Sequence, residues 1–362
     1  MNQQQLLEVM KALRIEILEI LHSNNLANDK TAQKMLISID NTFKRINQSV
    51  EEVIPPEILK SYFKGVDEAT KALKKSGVSV ELVASLTSSG QVKKAFQTQA
   101  HLEAIAEITD NTMLDLKAAI RTARRNTSTS IENALSVTKK DLQSGLVRGN
   151  PRKIFTSRVA ESFASEGLTS FITIDGKRLP LDFYSQVVTR TNIKSANIKG
   201  AAERYRENGV ELFTVSGNTP TCEQCYVYRG FVFSMVEGNK DFPYLDPATI
   251  PVHPHCQCSI QPYVLEYKDQ DEIDEARRHA ENFDPTKDTR SKAQKQAYEE
   301  KQRLNRLNNY EKKRYADIKG VLGDDAPANL GAFKRMKRAN TDNYNALIQD
   351  YQGALRKMRG AD

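Results

Sequence analysis

From residue 1 to about residue 165, apolar side chains return every three or four positions, the period that lines them along one face of an α-helix. Leu6, Met10, Leu13, Ile17 and Leu21 form one stripe, and Met35, Ile39, Phe43, Ile46 and Val50 a second, with the polar stretch from Ser23 to Asp29 between them. The Pro55-Pro56 pair removes two consecutive backbone donors and is expected to stop the second helix. A third stripe runs through Leu102, Ile105, Thr109, Met113, Leu116, Ile120 and Ala123, close to a seven-residue repeat, and predicts a long packed helix or a short coiled-coil seam. Ile131, Leu135, Leu142 and Leu146 continue the pattern until Gly149-Asn150-Pro151 breaks it, and a further helix is expected to end at Gly167. These stripes read as core or helix-partner packing.

Beyond Gly167 the period changes. Ser170 to Ile174 is β-branched and aromatic, and Asp175-Gly176 supplies the turn of a small hairpin that returns through Lys177-Arg178-Leu179. Asp182 is placed to cap a helix carrying Tyr184, Val187, Val188, Thr191 and Ile193, which Asn208-Gly209 should end. Glu211 to Val215 and Phe231 to Phe233 then read as short strands. The fold class is therefore α+β, in three parts: a helical arm or bundle over 1–165, a small α+β module over 166–266, and a charged helical tail over 267–362.

The charge is uneven. The whole chain carries a formal +7, yet Lys287 to Arg338 alone holds 15 Lys and Arg against 7 Asp and Glu. Leu304, Leu307 and Tyr310 give that tail only a weak helical stripe, and Gly320 to Gly331 resembles a linker, so solvated helices or partial disorder are expected. Lys334, Arg335, Lys337 and Arg338 form the best candidate patch for non-specific phosphate contact, although a charge run is more often simply solvated. No apolar run approaches the roughly 20 residues that span a bilayer. The start MNQQQLLEVM lacks a basic segment followed by an apolar core, so a soluble protein that remains in the cytoplasm where it is made is expected.

Disulfides are not expected in that compartment, and the spacing of the cysteines offers another use for them. Cys222-Glu223-Gln224-Cys225 is a C-x2-C pair, followed roughly 30 residues later by His253-Pro254-His255-Cys256-Gln257-Cys258, and all four cysteines of the chain lie in this unit. A C-x2-C turn turns two thiolates to one side of a tight loop, matching two corners of a zinc tetrahedron. Cys222 and Cys225 with two of Cys256, Cys258 and His253 complete it, and the spacing leaves open which two. With no carboxylate or open position evident, the zinc reads as structural. Residues 211–265 hold a few short strands and a long connection, Val236 to Val252, so a metal tying its ends contributes folding free energy directly. A redox C-x-x-C needs a strand-to-helix setting that this pair, lying between strands, lacks.

No catalytic set emerges. The sequence contains no phosphate-binding glycine loop, HExxH or GxSxG. His22, His101 and His279 read as residues of solvated helical faces, Arg190 as an ion-pairing or capping residue, and Asp271-Glu272 and Asp274-Glu275 as solvent-facing.

The order Gly176-Lys177-Arg178, Leu181-Asp182-Phe183-Tyr184, Val188-Thr189-Arg190-Thr191, Asn208-Gly209-Val210-Glu211-Leu212 and Val215-Ser216 resembles the minor capsid protein family of tailed bacteriophages, minor capsid protein 2 type. Cys222-x-x-Cys225, Tyr228 to Ser234, Pro243, Leu245 and His253-Pro254-x-Cys256-x-Cys258 continue the resemblance, which is close over about 150–265 and loose before it. His255 and Gln257 depart from it, standing where the family usually has Asn and Arg. The family is related to the Mu-type and SPP1-type head morphogenesis proteins. The resemblance implies a non-enzymatic virion component at the portal inside the head, acting in head assembly and in DNA packaging or ejection. Its implied partners are the portal protein, other capsid proteins and packaged double-stranded DNA. The alternative from the residues themselves is a zinc-containing nucleic-acid-binding protein that uses the basic tail; an enzyme, of the kind fused to some head proteins, is a third.

Overall fold

The computed structural model describes residues 2–23, 29–82, 84–143, 158–159, 169–172, 178–322, 325–340 and 342–358. Their order is helix α1 (Gln3–Ser23), α2 (Asp29–Lys75), α3 (Gln99–Gln143), strands β1 (Thr169–Ile172) and β2 (Arg178–Pro180), α4 (Leu181–Glu207), β3 (Leu212–Ser216), the short α5 (Glu223–Tyr226), β4 (Val232–Ser234), β5 (Ser259–Pro262), and helices α6 (Gln270–Ala280), α7 (Lys292–Leu322), α8 (Leu330–Ala339) and α9 (Asp342–Met358). The fold is α+β and mainly helical toward its N-terminus. No helix among the described residues is long and apolar enough to cross a membrane.

The chain forms two compact units, each assembled from separate stretches: residues 1–3, 50–116 and 185–301 in one, and 4–49, 117–184 and 302–362 in the other. In the second unit the stripe Leu6, Met10, Leu13, Ile17 and Leu21 is buried, as are Met35, Ile39, Phe43 and Ile46. The β1–β2 hairpin pairs Ile172 with Arg178. Its expected turn, Asp175-Gly176, lies outside the described residues, as do Leu146, Gly149-Asn150-Pro151, Gly167 and most of the Ser23 to Asp29 stretch. The charged tail has a core of its own, in which Ile318, Ala326, Phe333, Leu347 and Tyr351 are buried together. Ala326 falls inside the stretch expected as a linker, and what is described of Gly320 to Gly331 is a connection between two helices. Asn329 caps α8 by accepting from the Ala332 amide at 2.9 Å, and Asn340 closes it at φ 46°, a left-handed turn that asparagine tolerates.

Pro55-Pro56 does not stop the second helix; α2 runs through both prolines. Val53, Ile54, Ile58, Tyr62, Phe63 and Val66 are buried on either side, so packing holds the helix across two missing donors. Glu51 and Glu52, whose carbonyls lose those donors, are on exposed positions that water can reach. The third stripe forms the expected long helix and is displaced only in its first half. Leu102 is 47% exposed, and the buried face of α3 begins at His101 and continues through Ala104, Thr112, Leu116, Ile120 and Ala123.

In the first unit, α2 and α4 cross so closely that glycine is required on both. A Cβ on Gly65 would lie 1.9 Å from the Asn197 carbonyl oxygen, and one on Gly200 would lie 2.1 Å from that of Tyr62. Tyr62, His101 and Glu207 link three helices: the Tyr62 hydroxyl is 2.8 Å from His101 Nδ1, and His101 Nε2 is 2.9 Å from Glu207. His101, expected on a solvated face, is 1% exposed, because its ring lies among Tyr62, Phe63 and Phe96. The three-stranded sheet has β3 in the centre, antiparallel to β4 and β5. Helix α4 ends as expected at Asn208-Gly209: Gly209 takes φ 70°, and the Val210 amide donates to the Tyr205 carbonyl at 3.0 Å. The chain then turns directly into β3. Phe213, Val215, Phe233 and Ile260 pack with Ala69, Leu73, Ile198, Ala202 and Tyr205 in one core. The few short strands of residues 211–265 are thus not left to a metal alone, since helices from outside that span supply a core.

Candidate metal centre

The register of the sheet brings the two halves of the Cys/His unit together. Ser216, the last residue of β3, pairs with Ser259, the first of β5. Whatever follows β3 and whatever precedes β5 therefore emerge at one end of the sheet. The first is the connection carrying Cys222 and Cys225; the second is the segment His253 to Cys258.

The geometry there suits a soft metal. His253 Nε2 lies 3.0 Å from Cys222 Sγ and 3.2 Å from Cys225 Sγ, and Cys225 Sγ lies 3.5 Å from Cys256 Sγ. With a Zn–S bond of about 2.3 Å, the edge of a tetrahedron is about 3.8 Å. Cys222, Cys225 and His253 form one group of ligand atoms within 4.8 Å of one another, and Cys225, Cys256 and Cys258 another, with Cys225 common to both. His255, the second histidine of that segment, is in neither group. Its backbone takes φ 64°, a left-handed conformation where Asn is more usual than His. All four cysteines are free thiols.

His253 is preset for coordination. Its Nδ1 is 2.7 Å from the Pro254 carbonyl, an acceptor that fixes the proton on that nitrogen and leaves the Nε2 lone pair facing the thiols. Hydrogen bonds divide the sulfur atoms. Cys225 donates toward Cys256 and Cys258 and is buried, which pushes its thiol well above the usual range. Cys256 receives hydrogen bonds from Cys225 and Cys258, which pull it far below that range. The Cys258 amide is 3.4 Å from Cys256 Sγ. The cluster thus presents four sulfur atoms and one imidazole nitrogen, a donor set that fits zinc.

Basic residues that the sequence did not single out for this centre surround it. Arg229 donates to the Gly217 carbonyl at 2.9 Å and lies 3.6 Å from Cys258 Sγ. Arg290 holds the same connection farther along by donating to the Thr221 carbonyl at 3.1 Å; Asp288 takes its Nε and Nη2, each at 2.9 Å. Arg229 stands in the Tyr228 to Ser234 block, so it was in view without a role. Arg290 follows Cys258 by more than 30 residues, and no sequence signal joins them.

The other candidates separate. Lys334 and Lys337 both pair with Glu311, at 3.3 and 3.0 Å, while Arg335 and Arg338 are exposed. His279 is exposed, and its ring stacks on Phe231 at 4.4 Å. Arg190 meets the Gln186 amide at 3.0 Å, in the orientation that turns the amide oxygen toward it, and has no carboxylate partner among the described residues. Asp274 pairs with Arg277, and Glu272 with Lys268. The side chain of His22 lies outside the described residues.

Residues 30–357, nearly the whole chain, match the family described as phage minor capsid protein 2, and the chain belongs to that family. No curated protein and no solved structure matches it.

Proposed function

We propose that this member of the phage minor capsid protein 2 family is a structural, non-enzymatic component of the virion, bound to the portal inside the head, that acts in head assembly and in packaging or ejection of the genome. The observation that carries the reading is the family match across 30–357. In this reading the α+β segment 166–266 is a module stapled by one structural zinc, between the helical segments 1–165 and 267–362. The protein is made in the host cytoplasm and joins the portal and other capsid proteins there. Arg335 and Arg338, exposed beside the paired Lys334 and Lys337, are the groups offered to packaged double-stranded DNA.

We assign Cys222, Cys225, His253 and Cys256 to the zinc. Cys256 is preferred over Cys258 for the fourth corner because it lies 3.5 Å from Cys225 and accepts the Cys258 amide, while Cys258 lies beside Arg229. Zinc supplies no redox chemistry; it ties the β3–β4 connection to the strand entering β5. Metal analysis of purified protein should give about one zinc per chain. Cys222→Ser and Cys256→Ser should lower it, and Cys258→Ser should retain it. Equal zinc in wild type and Cys222→Ser overturns the metal assignment while leaving the capsid role intact. The capsid role has its own test: the protein should be detected in purified particles and should co-purify with the portal protein, and its absence from both refutes the placement.

A further inference from the structure

The segment that supplies metal ligands has a second face. His253, Cys256 and Cys258 turn toward the sulfur cluster. His255 and Gln257, which alternate with them, line a neighbouring cavity of about 520 Å³ together with Arg190, Lys194 and Ser259, and Cys256 reaches its wall as well. We propose that this cavity binds a phosphate-type oxyanion.

Four observations carry the assignment. Arg190 and Lys194 are one helical turn apart on α4, so two like charges share a face, an unfavourable pairing unless an anion lies between them. Neither has a carboxylate partner among the described residues. Lys194 is half-buried, with the Ser259 hydroxyl 2.8 Å from its Nζ. Glu68, the one carboxylate on the cavity wall, is already engaged: Lys64 lies 3.6 Å away, and the Asn197 amide donates to it at 3.1 Å.

Two cations without a carboxylate at ion-pair distance therefore face the cavity; burial outweighs the more distant negative charge of Glu68, Cys256 and Cys258 at Lys194, and a doubly charged phosphate meets both cations, where a monocarboxylate meets one. Arg190 contributes a planar fork suited to two phosphate oxygens, and Lys194 contributes a point charge. Gln257 and Ser259 add uncharged donors at the wall.

The test is calorimetric titration of the full-length, zinc-loaded protein with inorganic phosphate at low ionic strength. Saturable one-to-one binding is expected. Arg190→Ala and Lys194→Gln should each weaken it about tenfold, the loss of one charge-assisted hydrogen bond. Lys240→Ala, at an exposed position in a different loop, should leave it unchanged. Arg190 is exposed, so its truncation decides the matter even if Lys194→Gln fails to fold. Absence of saturable binding by the wild type, or binding by Arg190→Ala equal to wild type, overturns the proposal. A short DNA duplex separates the two sources of phosphate. Displacement of inorganic phosphate by the duplex identifies a nucleic-acid backbone, and phosphate binding that the duplex does not compete with identifies the free ion.

Discussion

Substituting Gly65 by alanine sets two physical effects against each other. Helix propensity favours alanine over glycine by about 1 kcal/mol in a helix interior, so a helix considered alone predicts a stabilised protein. The crossing of α2 and α4 predicts the opposite. The new methyl carbon would stand 1.9 Å from the Asn197 carbonyl oxygen and 2.8 Å from its carbonyl carbon, and both atoms are helix backbone that no rotamer change can move. Restoring an ordinary contact near 3.5 Å requires the helices to part by about 1.5 Å, which opens the packing around Tyr62, Phe63 and Tyr205. Overpacking of this kind costs about 1–3 kcal/mol, here at the upper end, leaving a net loss of about 2 kcal/mol after the propensity gain. Gly353, in α9, is the control, because a Cβ there meets nothing within 4 Å, and Gly353→Ala should stabilise its helix by up to about 1 kcal/mol. Amide hydrogen exchange reports each helix separately. Gly65→Ala should speed exchange in the second half of α2 and in α4, and Gly353→Ala should slow it in α9. Gly65→Ala together with Gly200→Ala should cost less than the sum of the two, since helices already parted make room for the second methyl. Protection in α2 that is unchanged or increased by Gly65→Ala would refute the close-approach argument.

Arg290→Ala removes the donor to Thr221 and leaves Asp288 without its bidentate partner, so zinc should transfer to a chelating dye about tenfold faster or more, by loss of about 1.5–3 kcal/mol of charge-assisted hydrogen bonding; an unchanged transfer rate would remove Arg290 from the support of the cluster. Burial raises the carboxyl of Glu207, but hydrogen bonds from His101 and Arg204 outweigh it and hold the group below its ordinary value of 4.5. A depressed folded value gives stability that is present above the unfolded value and lost as pH falls through the folded one. The urea midpoint of wild type should therefore fall more steeply below pH 4.5 than that of Glu207→Gln, and parallel curves would exclude the linkage. Glu311→Gln leaves Lys334 and Lys337 facing each other without a counter-charge, and exchange in α8 should quicken; equal protection would show that the pairing does not hold α8 to α7.

What the sequence revealed and what it concealed follow from the range of each interaction. Stripes such as Leu6 to Leu21 were legible because helical period is a local property, as was the stop at Gly209, which needs only one residue that accepts φ 70°. Passage of α2 through Pro55-Pro56 was not legible, because the compensating contacts come from residues distant in sequence. His101 misled for the same reason. Surrounded in sequence by Ala100, Leu102 and Glu103, it showed no sign of the Tyr62, Phe63 and Phe96 rings that enclose it. Cysteine spacing announced the cluster, since two clustered pairs in a chain with no other cysteine have few uses. The Ser216–Ser259 pairing that aligns the two halves, and the guanidinium groups of Arg229 and Arg290, required the folded sheet.

Alternation along His253 to Cys258 has a thermodynamic consequence. One short segment contributes side chains to the sulfur cluster and to the cavity, so ordering the segment for one ligand lowers the cost of binding the other. Linkage makes that coupling reciprocal: the factor by which zinc strengthens phosphate binding must equal the factor by which phosphate strengthens zinc binding. A conformational coupling of the usual size implies about fivefold or more in each direction. Both arms can be measured, phosphate affinity by titration of the zinc-free and zinc-loaded chain, and zinc affinity by competition with a chelator in the presence and absence of phosphate. Arg190→Ala should move the effect of phosphate on zinc to about tenfold higher phosphate while leaving zinc affinity without phosphate unchanged, because Arg190 lines the cavity and not the cluster. Equal phosphate affinity in both metal states would show that the two faces of the segment are ordered independently, with the sheet and its helices, rather than the metal, setting the shape of the cavity.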